Sequence, residues 1–214
     1  MAAVALGRDF EFRVRRPETC PTGLAEVDAL AGGLPRGCLS EVCGPSSSGR
    51  TSLMLAAMAQ ATAREEVCAL VDASDAFDPA SAAAAGVKLE RLLWVRCGGH
   101  AEHALKAVDL LVQGGGFGLV AMDLADTPVE TARRISLTSW FRLRRAVEHT
   151  PTVLLVLERQ PHAKTCASLT LEMRREKAAW SGAPGCSQLL RGIRVHVERR
   201  KPAPAITASF EARW

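Results

Sequence analysis

The sequence predicts an α/β fold, in which a mostly parallel twisted sheet is flanked by helices and carries antiparallel strands at one edge. Short apolar runs alternate with segments of helical periodicity between residues 39 and 157, which is typical of strand–helix units. These runs are nearly continuous, as expected for strands buried on both faces. The 214 residues are 48% hydrophobic and 23% charged, and this balance excludes a disordered or fibrous chain.

Five apolar runs predict the parallel strands. They are Leu39–Val42, Val67–Asp72, Leu92–Val95, Gly118–Asp123 and Thr152–Leu157. Two later segments, Cys166–Arg174 and Ile193–Val197, alternate apolar and polar residues. We expect both to finish one edge of the sheet and to run antiparallel to the other strands.

Helices are predicted between these strands. Thr51–Arg64 and Ala101–Gln113 each place apolar residues on one helical face, and Val129–His149 is either one long helix or a pair of shorter ones. The alanine run 80–85 lies between Asp78-Pro79 and Gly86, so it predicts a short helix between turns.

The length suggests one domain with additions at its ends. We expect an N-terminal arm or linker over residues 1–22, a core domain over residues 23–201 and a C-terminal tail over residues 202–214.

No apolar run approaches the roughly 20 residues that span a bilayer, and no basic segment precedes the first apolar residues as in a secretory signal. The seven cysteines are an odd number without a Cys-x-x-Cys pair, which favours buried thiols in a reducing compartment. We therefore predict a cytoplasmic protein without a membrane partner, and association with the nucleoid is compatible with this.

Charge is unevenly distributed along the chain. Residues 1–132 hold 11 Lys/Arg and 17 Asp/Glu, a net −6, whereas residues 133–201 hold 15 Lys/Arg and 5 Asp/Glu, a net +10. A basic second half indicates a face that meets a polyanion or an acidic partner, and the competing interpretation is a well-solvated surface.

A glycine-rich loop follows the first strand. The segment Gly44-Pro45-Ser46-Ser47-Ser48-Gly49-Arg50-Thr51-Ser52 matches the P-loop pattern except at Arg50, where the pattern has lysine. Backbone N–H groups of such a loop, with the following helix N-terminus, bind phosphate oxygens, so we predict that all nine residues contact a nucleotide. Thr51 and Asp123, at the end of a later strand, are the predicted Mg²⁺ ligands. Arginine is a planar fork and does not replace the compact lysine cation.

The resemblance extends beyond this loop. About residues 21–160 resemble a RecA-type recombinase core. The resemblance is carried by Thr22-Gly23 with Asp28, the segment 32–37 (GGLPRG), the P-loop, and the segments CALVDASDAFDPASAAAAGVKLERLLWVRC, GLVAMDLADTP and TVLLVLERQ. The resemblance implies a RecA-like P-loop core with ATP and Mg²⁺ as cofactors.

Positions that the resemblance ties to ATP hydrolysis have changed. The position of the glutamate that activates water holds Ser74, the adenine-stacking aromatic falls near Ser81, and the γ-phosphate-sensing glutamine falls at Arg159. A hydroxyl does not serve as a carboxylate base, although a one-residue shift of the alignment would place Asp75 or Asp72 there. We therefore predict a pseudo-ATPase, assign no catalytic residue and leave ATP and Mg²⁺ binding open, because the loop is either vestigial or a nucleotide-sensing element.

The short length and degenerate loop are most similar to the ImuA group of RecA-like proteins. That likeness implies a non-catalytic adaptor in DNA repair, DNA-damage tolerance and the SOS response, with translesion polymerase-type partners and RecA itself as a further partner. The alternative is an active ATP-dependent recombination protein on single-stranded DNA. A third hypothesis is a self-assembling regulator that caps recombinase filaments, and homo-oligomers follow from that.

Several arginine residues, with aromatic residues between them, follow Asp123 in the sequence. Single-stranded DNA suits such a set, because bases stack on rings and phosphates pair with cations. Trp140 also has the spacing of a core residue, so protein contact is the competing interpretation. The predicted DNA or partner contacts are Arg133, Arg134, Trp140, Arg142, Arg144 and Arg145.

Cys97, His100 and His103 superficially resemble a metal cluster, but three ligands in a strand-to-helix turn argue against one.

Overall fold

A computed structural model of the chain describes residues 18–182 and 186–213. Residues 1–17, most of the predicted N-terminal arm, lie outside the described residues. Within the described part the strands are β1 (Thr19–Cys20), β2 (Leu34–Pro35), β3 (Cys38–Cys43), β4 (Cys68–Asp72), β5 (Leu92–Arg96), β6 (Leu119–Asp123), β7 (Val153–Glu158), β8 (Leu169–Ser181), β9 (Leu189–Lys201) and β10 (Ile206–Arg213). The α-helices are α1 (Ala25–Ala31), α2 (Arg50–Ala63), α3 (Pro79–Ala84), α4 (Ala101–Gly114), α5 (Val129–Arg133) and α6 (Leu137–Val147).

The central sheet has eight strands in the order β10-β9-β8-β3-β7-β6-β4-β5. All neighbours from β5 through β8 are parallel, and the β8–β9 and β9–β10 pairs are antiparallel. The predicted α/β class, a mostly parallel sheet with an antiparallel edge, is therefore confirmed. β1 and β2 form a separate two-stranded antiparallel sheet.

The predicted direction of the first later strand is wrong. β8 runs parallel to β3, with Ser40 opposite Leu169 and Val42 opposite Leu171, so the reversal begins at β9. The connection over residues 159–168 includes a 3₁₀ turn at Lys164–Cys166 and carries the chain past β3, which lies between β7 and β8 in the sheet. Alternation shows which face a side chain occupies but not the direction of its strand.

Apolar residues cover both faces of the parallel strands, which explains their continuous apolar runs. Leu70, Ala121 and Leu155 belong to one buried cluster with α1 and α2. The other cluster contains residues of α4 and α6 and the opposite strand faces. The carboxyl ends of β3, β4, β6 and β7 meet at one edge of this two-sided core, where loops carry the candidate site.

The helices follow the predicted patterns with small shifts at their ends. The segment 129–149 forms a pair of helices, because the chain leaves α5 after Arg133 and Ser136 caps α6 by accepting a hydrogen bond from Ser139 N. Asp78 caps α3 through Ala80 N and Ser81 N. Residues 206–213, which lie in the predicted tail, pair along β9 as β10, and Phe210 is buried. None of the helices in the described residues is long and apolar enough to cross a membrane.

Candidate phosphate-binding site

The glycine-rich loop joins β3 to α2 at the carboxyl edge of the sheet. Gly44 N donates a hydrogen bond of 3.2 Å to Glu158 O on β7, and Ser48 N donates one of 3.2 Å to Pro45 O. Helix α2 begins at Arg50, with Leu53 N bonded to Gly49 O at 3.0 Å. Strand, loop and helix N-terminus therefore follow the order of a phosphate-binding loop, and the N–H groups of Gly44 and Ser48 are bonded within the protein.

Close packing requires both glycines of the loop. A Cβ atom on Gly44 would lie 2.1 Å from Met173 O, and one on Gly49 would lie 2.8 Å from Val195 Cγ2. The loop is thus fitted against β8 and β9 as well as open to a ligand. Packing against β8 and β9 is sufficient to explain both glycines.

A cleft of about 270 Å³ opens beside the loop. Its lining comes from the loop and α2, from the segment after β4 and from the segment after β6. The lining residues are Ser46, Ser47, Arg50, Thr51, Met54, Leu55, Ala76, Phe77, Asp78, Ser81, Asp123, Ala125 and Asp126. The structure therefore brings predicted loop residues together with both predicted metal ligands.

Arg50 is turned into the protein. Its side chain is 6% exposed, and Nη1 donates a hydrogen bond of 2.7 Å to the main-chain oxygen of Glu158. Burial lowers the pKa of the guanidinium, and attraction to Asp123 and Asp126 opposes that effect. The cation at the lysine position is thus bonded to the end of β7 and faces two carboxylates of the cleft.

Thr51 and Asp123 offer a hydroxyl and a carboxylate, which are oxygen ligands of the kind that Mg²⁺ takes. Thr51 is exposed at the start of α2, and both residues line the cleft. Burial raises the pKa of Asp123 to about 6, with Ala125 N donating to its Oδ1 at 2.9 Å and opposing the shift. A bound cation would supply the positive charge that keeps this carboxylate ionised. The buried Ser48 Oγ has no hydrogen-bond partner, so the loop retains an unused polar atom.

The two aspartates that could replace the missing base accept hydrogen bonds from backbone N–H groups of loops. Asp72 accepts hydrogen bonds from Ser74 N, Ala76 N and Phe77 N at 2.9–3.2 Å, and one of 3.3 Å from Trp94 Nε1. Asp75 accepts from Cys97 N and Gly98 N at 3.1–3.2 Å and pairs with Arg96 at 3.1 Å.

Sequence reasoning missed an aromatic in the cleft wall. Ser81 lines the cleft and its hydroxyl donates to Asp78 at 2.5 Å, but Phe77 lies in the same wall and packs edge-on against Trp94 at 5.2 Å. The signal was Phe77 itself, the aromatic residue between β4 and α3. Ser74 is absent from the cleft lining. Arg159 contacts the wall of the cleft, since its Nε donates a hydrogen bond of 3.0 Å to the main-chain oxygen of Ala125.

The predicted DNA or partner contacts do not form one patch. Trp140 is fully buried in the core beneath α6, so its ring is not part of the exposed surface. Arg134 and Arg142 line a second cleft of about 380 Å³ together with Lys106 of α4, which sequence reasoning missed. Arg142 also pairs with Asp109 at 3.4 Å.

The remaining contacts lie apart from that cleft. Arg133 reaches the loop after β7, where its Nη2 donates to Gln160 Oε1 at 3.1 Å. Arg144 is half-buried and interacts electrostatically with Cys166, and Arg145 is exposed. Within residues 18–182 and 186–213, no group of three or more His, Cys, Asp or Glu side chains is placed to hold a metal ion, and this includes Cys97, His100 and His103.

Comparison with known proteins finds a matching family and several similar sequences. The profile of the family described as the RecA N-terminal domain matches residues 2–132. "Protein RecA" of Prochlorococcus marinus strains MIT 9303 and MIT 9313 is 47% identical over 109 residues, and that of a third strain of the same species, SARG, is 46% identical over the same length. Each match covers 50% of this chain and 28% of the relative, so the chain matches less than a third of those proteins.

Proposed function

The chain belongs to the RecA N-terminal domain family, and we propose that it is a RecA-like protein of DNA recombination and repair that does not hydrolyse ATP rapidly. In this proposal the protein is a non-catalytic adaptor. The observation that carries it is the contact of Arg50 with Glu158 O, because the cation at the lysine position of the loop is used inside the protein. Phosphoryl transfer depends on positioning and charge stabilisation, so a misplaced cation removes much of it.

The missing carboxylate base supports the same proposal. Ser74 has no carboxylate. Backbone N–H groups of its own loop hold Asp72, and those of the loop after β5 hold Asp75. A general base must lie within hydrogen-bond reach of the proton that it removes. In this proposal, loss of the base together with the lysine removes the two groups to which the resemblance assigns activation of water and stabilisation of the phosphates.

ATP with Mg²⁺ is proposed as a ligand that the protein senses. The loop N–H groups and the start of α2 would hold phosphates, and Thr51 and Asp123 would hold the cation. The cation would supply charge neutralisation between the phosphates and Asp123. Phe77 would offer an apolar wall to the rest of the nucleotide.

The partners follow from the resemblance and the charge distribution. We propose membership of the ImuA group, with translesion polymerase-type proteins as partners in the SOS response and RecA itself as a further partner. The net +10 of residues 133–201 supports contact with an acidic protein surface or single-stranded DNA. The cluster of Arg134, Arg142 and Lys106 is the proposed point of contact.

An active ATP-dependent recombination protein is the second candidate. The loop keeps both glycines of the motif, and Thr51, Asp123 and Phe77 line the cleft beside it. These features favour the second candidate. A filament-capping, self-assembling regulator would use the same fold without hydrolysis.

Titration of a fluorescent ATP analogue with and without Mg²⁺, combined with co-purification from cells, tests the proposal. We expect binding of the analogue without comparable hydrolysis, and capture of a polymerase-type protein. A lone monomer that hydrolyses ATP robustly would favour the second candidate and overturn the adaptor.

A further inference from the structure

A buried polar cluster holds the loop after β7 against the sheet. Glu41 of β3 is 1% exposed, and its Oε1 accepts hydrogen bonds from His162 N at 2.8 Å and Ala163 N at 2.6 Å. Thr170 Oγ1, on β8 beyond the loop, donates to Glu41 Oε2 at 3.4 Å. One carboxylate of the sheet therefore fastens the middle of the loop 159–168 through two backbone N–H groups.

Glu158 joins the same loop through its side chain. This residue ends β7 and is 1% exposed, and its Oε2 contacts His162 Nδ1. Its other oxygen, Oε1, is buried without a hydrogen-bond partner. A buried carboxylate that lacks a partner on one oxygen is costly when ionised, so proton uptake stabilises this arrangement.

Other charged groups face the cluster from several elements. Arg133 of α5 acts on His162, and Glu41 acts on both Glu158 and His162. The charges of Glu41 and Glu158 also contribute to raising the pKa of the Cys43 thiol on β3. The two carboxylates thus favour the protonated form of one imidazole, and the charge of Arg133 opposes it.

We propose that Glu158 and His162 form a proton-dependent latch that fastens the loop 159–168 to the carboxyl ends of β3 and β7. With a shared proton, the carboxylate–imidazole contact holds. Without it, two buried carboxylates remain beside a neutral ring, and the loop detaches. The latch does not depend on nucleotide binding or on the proposed adaptor function.

The direction of the pH effect follows from the shifts of the three groups. Burial raises the pKa of Glu158 to about 7 and raises that of Glu41, while the contact with Glu158 raises the pKa of His162. The pKa of each group lies above its ordinary value, although the N–H groups of His162 and Ala163 oppose the shift of Glu41. In the latch, detachment exposes Glu158 and His162 to water and returns their pKa values towards the ordinary ones, so docking takes up protons. The stabilisation is therefore present at low pH and is lost as the pH rises through about 7.

Release of the latch affects neighbouring contacts. Arg159, adjacent to Glu158, bonds to Ala125 O in the cleft wall, and Gln160 accepts from Arg133 of α5. Detachment of the loop frees these two side chains together. The hydrogen bonds of Glu158 O to the phosphate loop use the main chain and do not need the carboxylate.

Hydrogen exchange on the full chain tests the latch. Protection factors of the His162 and Ala163 amides, corrected for intrinsic exchange rates, are measured at pH 6 and pH 8. We expect protection to fall about tenfold, since linkage to one proton allows up to tenfold per pH unit and acts mainly below the pKa of about 7. Equal protection of the wild-type amides at the two pH values would overturn the latch.

Variants identify the groups responsible. Glu158→Gln keeps a polar side chain of the same length without titrating, so the fall in protection should disappear. His103→Gln is the matched control, because His103 is exposed on α4 and should leave the fall unchanged. A fall of full size in both Glu158→Gln and His162→Gln would contradict the assignment. If neither variant folds, the ring resonances of His162 in the wild type decide, since the latch requires the pKa of this imidazole to lie above the ordinary value of a histidine.

Discussion

Arg50 Nη1 donates a 2.7 Å hydrogen bond to Glu158 O, which also accepts one from Gly44 N at 3.2 Å. A single carbonyl oxygen at the end of β7 thereby fixes both the first glycine of the phosphate loop and the cation that follows the loop. The contact explains how an arginine is accommodated at a position where the motif has lysine. It also ties up a charge that the motif directs towards phosphate.

Replacing this arginine should restore part of the phosphate site. Arg50→Lys removes the bond to Glu158 O and supplies a compact cation. A charge-assisted hydrogen bond contributes about 1.5–3 kcal/mol, so we expect Mg²⁺–ATP analogue binding to tighten by about tenfold. Fluorescence titration measures it. Arg142→Lys, outside the cleft, is the control, and unchanged affinity in Arg50→Lys would show that Arg50 does not limit binding.

The phosphate loop should not tolerate a side chain at its first glycine. Gly44→Ala places a Cβ 2.1 Å from Met173 O, so we expect a loss of at least about 3 kcal/mol of unfolding free energy, or failure to fold. Gly114→Ala is the matched control, because nothing lies within 4 Å of its Cβ at the end of α4. Urea unfolding compares the two, and equal stability would refute the close packing of the loop on β8.

The second cleft should contribute to binding of single-stranded DNA. Arg134→Ala, Arg142→Ala and Lys106→Ala together remove three cations that line it. We expect weaker oligo(dT) binding and a salt dependence reduced by about one unit per cation that contacts phosphate. Fluorescence anisotropy at several salt concentrations measures both. Arg96→Ala, whose side chain pairs with Asp75, is the control, and an unchanged salt slope in the triple variant would exclude this cleft.

Thiol reactivity should distinguish surface from core cysteines. Cys186 is exposed, whereas Cys43 and Cys68 are buried. Burial raises the pKa of Cys68 to about 12 and raises that of Cys43 as well, so little thiolate forms at neutral pH. We expect Cys186 to react rapidly with a thiol reagent in the native protein and the other two only on unfolding. Cys186→Ser should remove the rapid phase, and its persistence would place another thiol at the surface.

The parallel part of the sheet could be predicted because its strands are buried on both faces and read as continuous apolar runs. The core positions of the helices could also be predicted from the spacing of their apolar residues, and Trp140 has that spacing. The direction of β8 was not readable, since alternation reports burial of a face and not strand polarity. That direction depends on the path of residues 159–168.

The candidate site was predicted as a set of residue types but not as a set of contacts. Arg50 was visible as a departure from the motif, but its partner Glu158 is 108 residues away. Phe77 and Lys106 were missed because their roles in the clefts depend on segments that approach only in the folded chain. The cluster of Glu41, Glu158 and His162 likewise has no local signature.

Phosphate release from ATP by the full chain with Mg²⁺, measured with and without oligo(dT), tests the loss of hydrolysis most directly. We predict a rate equal to that of Asp123→Ala and to the rate without protein. Mg²⁺-dependent hydrolysis that oligo(dT) stimulates and Asp123→Ala abolishes would contradict this prediction.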